Sequence, residues 1–207
     1  GIHLNYPLKK MICFGDSTFV SQTTSVPVLL ARRYDMKLVD RSYWGATLTT
    51  QPGKNDMLNI LGDAHLTHMD ENIGLALIEG GLNDAARGSI KDVESGNPLI
   101  YGSEDAYIET YGSMEEARKT IAGSINYAVD RILEKSPACI ICLCTVQTQY
   151  YTNNNGIGGK PETVDKVNDI MKAIATERGL VIADLAGCFK PTRALAPLYY
   201  SRYPLSF

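Results

Sequence analysis

Two kinds of segment that often decide a protein's surroundings are missing from this 207-residue chain. No stretch approaches about 18 consecutive apolar residues, the length that marks a membrane-spanning helix. No cluster of Lys and Arg forms the basic stripe that contacts a phosphate backbone, and the interspersed charges sum to −3. We therefore expect neither a membrane nor a nucleic acid as a partner.

The N-terminus also lacks the charged and then apolar plan of a secretory signal peptide. This favours a cytoplasmic location and leaves the source compartment open. The oligomeric state is equally open, because nothing in the sequence bears on it.

The residues that usually bind zinc are few or badly placed. Three histidines occur, all before residue 69, and the five cysteines include Cys139, Cys142 and Cys144 within one apolar run rather than as pairs on turns. In a strand, Cys142 and Cys144 would point to one face and Cys139 to the other, as small buried side chains. An odd number of cysteines also argues against a complete disulfide framework. We expect no metal and no cofactor.

Apolar runs alternate with helix-like stretches along the whole chain. The runs are nearly continuous, as in strands buried on both faces, and lie at about 10–15, 36–40, 73–79, 138–145 and 179–185. The helix-like stretches between them are 26–34, 56–69, 114–135 and 162–178. This order predicts one domain over residues 1–207, a three-layer α/β/α sandwich around a parallel sheet with right-handed crossovers.

A serine follows the first apolar run. Gly15, Asp16 and Ser17 stand where a strand passes into a loop, and a glycine there lets backbone N–H groups approach a reacting carbonyl. A serine in such a place is a candidate nucleophile. Gly-Asp-Ser is also ordinary turn chemistry, so the tripeptide alone decides nothing.

Two further blocks follow the second and third runs. Gly45 comes after the run 36–39, and Gly81-Leu82-Asn83-Asp84 comes after the run 73–78. In these three ordered blocks the chain resembles the GDSL or SGNH hydrolase family over residues 10 to 185. The carboxyl ends of parallel strands meet at one edge, so the three blocks are expected to lie together there.

The resemblance implies a flavodoxin-like strand order, 2-1-3-4-5, and roles for individual residues. Ser17 would be the nucleophile, and the N–H groups of Ser17 and Gly45 with the side-chain amide of Asn83 would form the oxyanion hole. The residues expected to support these loops are Gly15, Asp16, Gly81 and Asp84. The implied substrate is an ester of a small molecule or carbohydrate, either an acetylated carbohydrate or a short-chain acyl ester.

The family's fourth block, Asp-x-x-His near the C-terminus, is not found. No histidine follows His68, and Tyr203 before Pro204 is the nearest remnant. His65 and His68 are expected on the surface or at a helix end, at the opposite edge of the sheet from Ser17. The tail from about residue 186 is interpreted as diverged or truncated, and hydrolysis is expected to be slow.

Two long polar segments are predicted at the same edge as the blocks. The loop 85–113 carries Arg87, Tyr101, Tyr107 and Tyr111, and the loop 147–161 is rich in Tyr, Asn and Gly. Such loops serve substrate recognition or are merely solvated. Two alternatives to an esterase remain open: a catalytically impaired binding module or truncated hydrolase domain of the same family, and a flavodoxin-like nucleotide or receiver domain.

Overall fold

The computed structural model describes residues 9–20, 23–87, 90–147 and 161–188. The expectations for the loop 148–160, for Tyr203 and for the tail beyond residue 188 lie outside the described residues. Within the described part of the chain, no helix combines the length and the apolar character needed to cross a bilayer.

Five parallel strands form one sheet in the order β2-β1-β3-β4-β5. They are β1 (Lys10–Phe14), β2 (Lys37–Asp40), β3 (Ile73–Glu79), β4 (Ile140–Cys144) and β5 (Val181–Ala183). The predicted parallel sheet and its flavodoxin-like order are confirmed. The central strand β3 pairs with β1 and β4 along almost its whole length, which is why its apolar run does not alternate.

Nine α-helices and one 3₁₀ turn connect the strands within the described residues. They are α1 (Val26–Arg33), a 3₁₀ turn (Asp56–Leu58), α2 (Asp63–Leu66), α3 (Leu82–Ala86), α4 (Lys91–Ser95), α5 (Glu104–Tyr111), α6 (Met114–Ala117), α7 (Ile121–Lys135), α8 (Pro161–Arg178) and α9 (Leu185–Cys188).

The sheet is covered on both faces. Helices α7 and α8 pack their apolar sides on one face, in a cluster that includes Ile12, Ile78 and Cys139. Helix α1 packs on the other, where Cys142 and Cys144 lie in a second cluster. The predicted division of these cysteines between the two faces is confirmed, and all three are buried.

Two predicted helices are interrupted. The stretch 56–69 holds only the 3₁₀ turn and α2, because the Asn59 side chain accepts a hydrogen bond from Gln51 N (2.8 Å) and the chain turns at Gly62. The stretch 114–135 divides at Thr120, whose hydroxyl accepts from Gly123 N (3.0 Å) and so begins α7 as an N-cap.

The predicted long loop 85–113 is wrong as a loop, because it contains α4 and α5. Tyr107, predicted on a loop that serves substrate recognition or is merely solvated, is buried instead, and its hydroxyl donates to Leu99 O (2.8 Å). The Asn126 amide of α7 donates to the same hydroxyl (2.7 Å). The phenol ring of Tyr107 therefore anchors α5 to α7.

Asp92 fixes the N-terminus of α7. Its buried carboxylate accepts hydrogen bonds from Ile121 N (3.1 Å) and Ala122 N (2.9 Å), two of the donors that have no acceptor inside a helix. We expect Asp92→Ala to lower the free energy of unfolding by about 2 kcal/mol, because both donors then stay buried without an acceptor. Denaturant unfolding measures this, with Glu94→Ala on the exposed side of α4, the helix that carries Asp92, as control. Equal stability of the two variants would contradict the role given to Asp92.

Candidate active site

Ser17 stands in a tight turn after β1. The turn closes where Phe19 N donates to Asp16 O (3.1 Å), and a Cβ on Gly15 would lie 2.7 Å from the Phe19 ring. Only glycine fits at this position, because the buried Phe19 ring occupies the space of any side chain. Gly15 was expected to let the backbone approach the substrate. The packing of Phe19 is a second reason for glycine at this position.

The loop after β2 is attached to the same turn. Tyr43 N donates to Gly15 O (2.9 Å), which brings Gly45 and the exposed Trp44 to the side of Ser17. Gly45 has a φ of +73°, a left-handed conformation that favours glycine.

Asn83 joins the loops of all three strands. Its Nδ2 donates to Ala46 O (2.9 Å) in the loop after β2 and to the Asp16 carboxylate (3.2 Å) in the turn after β1. Asn83 itself lies in α3, directly after β3. The three blocks that were far apart in sequence therefore meet at the carboxyl edge of the sheet.

Three polar groups in these loops have no protein partner among the described residues. Among the described residues, no atom forms a hydrogen bond with the Oγ of Ser17, and none accepts one from the N–H of Ser17 or of Gly45. Buried backbone N–H groups are nearly always paired, so half-buried donors left open at a cleft are available to a ligand.

Asp84 holds the far side of the Gly45 loop. Its buried carboxylate accepts from Leu48 N (2.9 Å), from Thr49 N (2.9 Å) and from the Thr49 hydroxyl (2.6 Å). Burial raises the pKa of Asp84, while these three donors lower it and so favour the carboxylate.

Gly81 sets the start of α3. It has a φ of +118°, and a Cβ there would lie 2.7 Å from a methyl group of Val167 on α8. A side chain at this point would move α3, and with it both Asn83 and Asp84.

Glu79 is a site residue that sequence reasoning missed. It ends β3 fully buried, and its two carboxyl oxygens accept hydrogen bonds from Asp16 N (3.1 Å) and from the Thr18 hydroxyl (2.7 Å). Burial raises the pKa of Glu79 to about 8, and the nearby Asp16 charge adds to the rise. Burial likewise raises the pKa of Asp16 to about 6, against the hydrogen bonds that it accepts from Thr18. A carboxylic acid as the last residue of an apolar strand was the signal that could have drawn attention to it.

The comparisons with known proteins establish the family and the fold of this chain. The sequence pattern of the GDSL-like lipase/acylhydrolase family matches residues 13–204. The chain belongs to this family. It is accordingly a hydrolase. No curated protein sequence matches the chain.

Solved structures with the same fold include several enzymes. A putative GDSL-like lipase from Bacteroides uniformis has a TM-score of 0.55 at 16% identity, covering 95% of this chain and 96% of its own. A carbohydrate acetylesterase from Sinorhizobium meliloti has a TM-score of 0.56 at 15% identity, covering 93% and 99%. A phospholipase A1 from Streptomyces albidoflavus has a TM-score of 0.50 at 16% identity, covering 88% and 81%. At these identities the likeness shows the fold alone.

The family's histidine has no counterpart among the described residues near Ser17. His68 is exposed, in agreement with the expected surface position. His65 lies in the last turn of α2, in agreement with the alternative helix-end position, and its ring is completely buried. Its Nε2 donates to Met57 O (3.0 Å), and burial lowers its pKa, so His65 is a neutral core residue. The described residues also contain no group of three His, Cys, Asp or Glu side chains placed to hold a metal ion.

The buried proton on Glu79 makes stability depend on pH. The folded protein holds this proton up to about pH 8, whereas the ordinary pKa of 4.5 applies in the unfolded chain. The free energy of unfolding therefore falls as pH rises through this interval, with a slope for this group of at most about 1.4 kcal/mol per pH unit.

We expect Glu79→Gln to remove the part of the pH-dependent fall in the free energy of unfolding that comes from Glu79. The variant should therefore become more stable relative to the wild type as pH rises from 6 to 8. Denaturant unfolding at pH 6, 7 and 8 measures the difference, and Glu109→Gln on the exposed side of α5 is the matched control. Parallel pH profiles for Glu79→Gln and the wild type would show that Glu79 is ionised in the folded protein.

Proposed function

We propose that this acylhydrolase cleaves carboxylic esters through an acyl-enzyme on Ser17. The Ser17 Oγ attacks the carbonyl carbon, the bond to the alcohol oxygen breaks, and the alcohol leaves with a proton. Water then attacks the acyl-serine, releasing a carboxylic acid and restoring the hydroxyl.

One observation carries the proposal: among the described residues, the N–H groups of Ser17 and Gly45 and the Ser17 Oγ have no protein partner, and a hydrogen bond from Tyr43 N to Gly15 O (2.9 Å) joins their two loops. Two backbone donors beside a nucleophile form an oxyanion hole. Each donor in such a hole contributes about 3 kcal/mol to stabilising the transition state. Metal chemistry is not needed for this step.

Asn83 is the proposed third donor, and it must change partner to act. Its Nδ2 carries two hydrogens, which in this structure go to Ala46 O and to the Asp16 carboxylate. The bond to Asp16 is the longer, at 3.2 Å against 2.9 Å. We infer that the oxyanion takes the place of Asp16 at this hydrogen, which makes the Asn83 contact specific to the transition state.

The proposed substrate is an acetylated carbohydrate or another short-chain acyl ester. Trp44, next to Gly45, exposes 62% of its surface, and an indole face at the rim of a site suits stacking against a sugar ring. The carbohydrate acetylesterase from Sinorhizobium meliloti provides an example of this activity on the same fold.

A second candidate is a binding module that keeps the cleft and has lost turnover. The absence of any histidine after His68 favours it, because loss of a triad member leaves only about 10³ to 10⁴-fold catalysis over water. The esterase proposal accordingly expects slow hydrolysis. The two candidates differ in one testable property: the esterase requires Ser17 to be an activated nucleophile, and the binding module does not.

We expect a fluorophosphonate to label the wild-type chain at one site and to leave Ser17→Ala unlabelled. Intact-mass spectrometry measures the added mass, and Ser42→Ala, in the loop after β2, is the control that keeps the label. A wild-type chain that stays unlabelled under conditions that label a known serine esterase would favour the binding module.

We expect Asn83→Ala to lower kcat for an aryl acetate about 10²-fold or more with little change in KM, because the lost donor acts mainly in the transition state. Steady-state kinetics measures both constants. The control is Asn72→Ala, an exposed asparagine just before β3 at the other edge of the sheet. A kcat equal to that of the control would show that Asn83 is not a donor of the oxyanion hole.

A further inference from the structure

Arg87 lies one helical turn beyond Asn83. It ends α3, and its backbone N–H donates to Asn83 O (3.0 Å). Residues four apart on a helix share a face, so Asn83 and Arg87 are directed to the same side of α3.

The guanidinium reaches back over the loop that follows β2. Its Nη2 lies 3.3 Å from the point that a Cβ on Gly45 would occupy. The positive group therefore covers Gly45, the residue whose N–H is one of the two open backbone donors. A side chain at Gly45 would meet this guanidinium and would also be strained by the φ of +73°.

The Arg87 guanidinium has no counterion among the residues that the structure describes. The ion pairs found in the described part of the chain engage other Lys and Arg side chains, and no hydrogen bond of its side chain is found there. Arg178 shows the contrast, because it binds the Asp130 carboxylate (2.6 Å) and the Asn126 side-chain oxygen (2.9 Å). The carboxylates of the site are engaged by other donors: Asp84 by residues 48 and 49, and Asp16 by Thr18 and Asn83.

We propose that Arg87 binds an anionic group, a carboxylate or a phosphate, carried by the ester substrate beside its scissile carbonyl. The inference rests on the proposed esterase function and narrows its substrate class. A guanidinium presents a planar fork of N–H donors that matches both anions. The chain as a whole carries a charge of −3, so attraction of an anionic ester depends on this local cation.

Three acetate esters of one size test the proposal: 4-acetoxybenzoate, 4-acetoxyphenyl phosphate and the neutral 4-acetoxybenzamide. The two anionic esters separate carboxylate from phosphate as the preferred group. We expect Arg87→Gln to lower the ratio of kcat/KM for the preferred anionic ester to that for the benzamide about 10-fold. Arg87→Lys should retain part of the preference for the anionic ester over the benzamide, because lysine keeps the positive charge but lacks the planar fork of N–H donors. The control Arg33→Gln, on the exposed side of α1, should keep the wild-type ratio.

Binding measured without turnover separates this inference from the esterase proposal. Isothermal titration calorimetry of Ser17→Ala with the same three esters should show about 10-fold tighter binding of the preferred anion than of the benzamide, and Arg87→Gln in the same background should abolish the difference. If no ester is hydrolysed but this difference is present, the esterase proposal fails and the anion site stands. If the esters are hydrolysed and Arg87→Gln leaves both the kinetic ratio and the binding difference unchanged, the anion site is wrong.

Discussion

The site depends on three buried carboxyl groups that hold the loops after β1, β2 and β3 against one another. Asp16, Glu79 and Asp84 each accept hydrogen bonds from a loop other than their own or from its side chains. Burying a carboxyl group without hydrogen-bond partners costs several kcal/mol. The N–H and O–H donors of these loops therefore point inward, to the three carboxyl groups. Among the residues that the structure describes, the N–H groups of Ser17 and Gly45 are left without an acceptor.

This arrangement places carboxyl groups beneath the loops at the carboxyl edge of the sheet and a cation, Arg87, at the surface near Gly45. The carboxyl groups lie beneath the loops, where burial raises the pKa of Glu79 to about 8 and keeps it protonated near neutral pH. Arg87 lies above Gly45 and is exposed. Gly45 thus has an exposed charged side chain, Arg87, and an exposed aromatic side chain, Trp44, as neighbours.

The sheet could be predicted from the sequence because each of its strands is a nearly continuous apolar run, a pattern that depends on burial on both faces. The breaks in the helices could not be predicted from the sequence, because they arise from single side chains, such as the Thr120 hydroxyl, and from the turn at Gly62. The burial of Tyr107 and His65 was missed for a related reason. Both are amphipathic rings whose burial depends on one hydrogen bond to a backbone carbonyl, which local sequence does not reveal.

The blocks around Ser17, Gly45 and Asn83 could be placed at one edge because strand order and chain order together determine where parallel strands end. The side-chain interactions that join these blocks to one another could not be predicted. The hydrogen bond that the Thr18 hydroxyl donates to Glu79 and the close approach of Arg87 to Gly45 join residues that are 61 and 42 positions apart. They depend on the tertiary fold rather than on a motif.

The central claim is that the open N–H groups of Ser17 and Gly45 form the oxyanion hole. A crystal structure of the chain after reaction with a fluorophosphonate measures this directly, because the phosphoryl oxygen mimics the oxyanion. We expect phosphorus bonded to the Ser17 Oγ, with the phosphoryl oxygen about 2.7 to 3.1 Å from both nitrogens and the Asn83 Nδ2 turned to it from Asp16. A phosphoryl oxygen directed away from both N–H groups, with the Asn83 amide still bound to Asp16, would contradict the account.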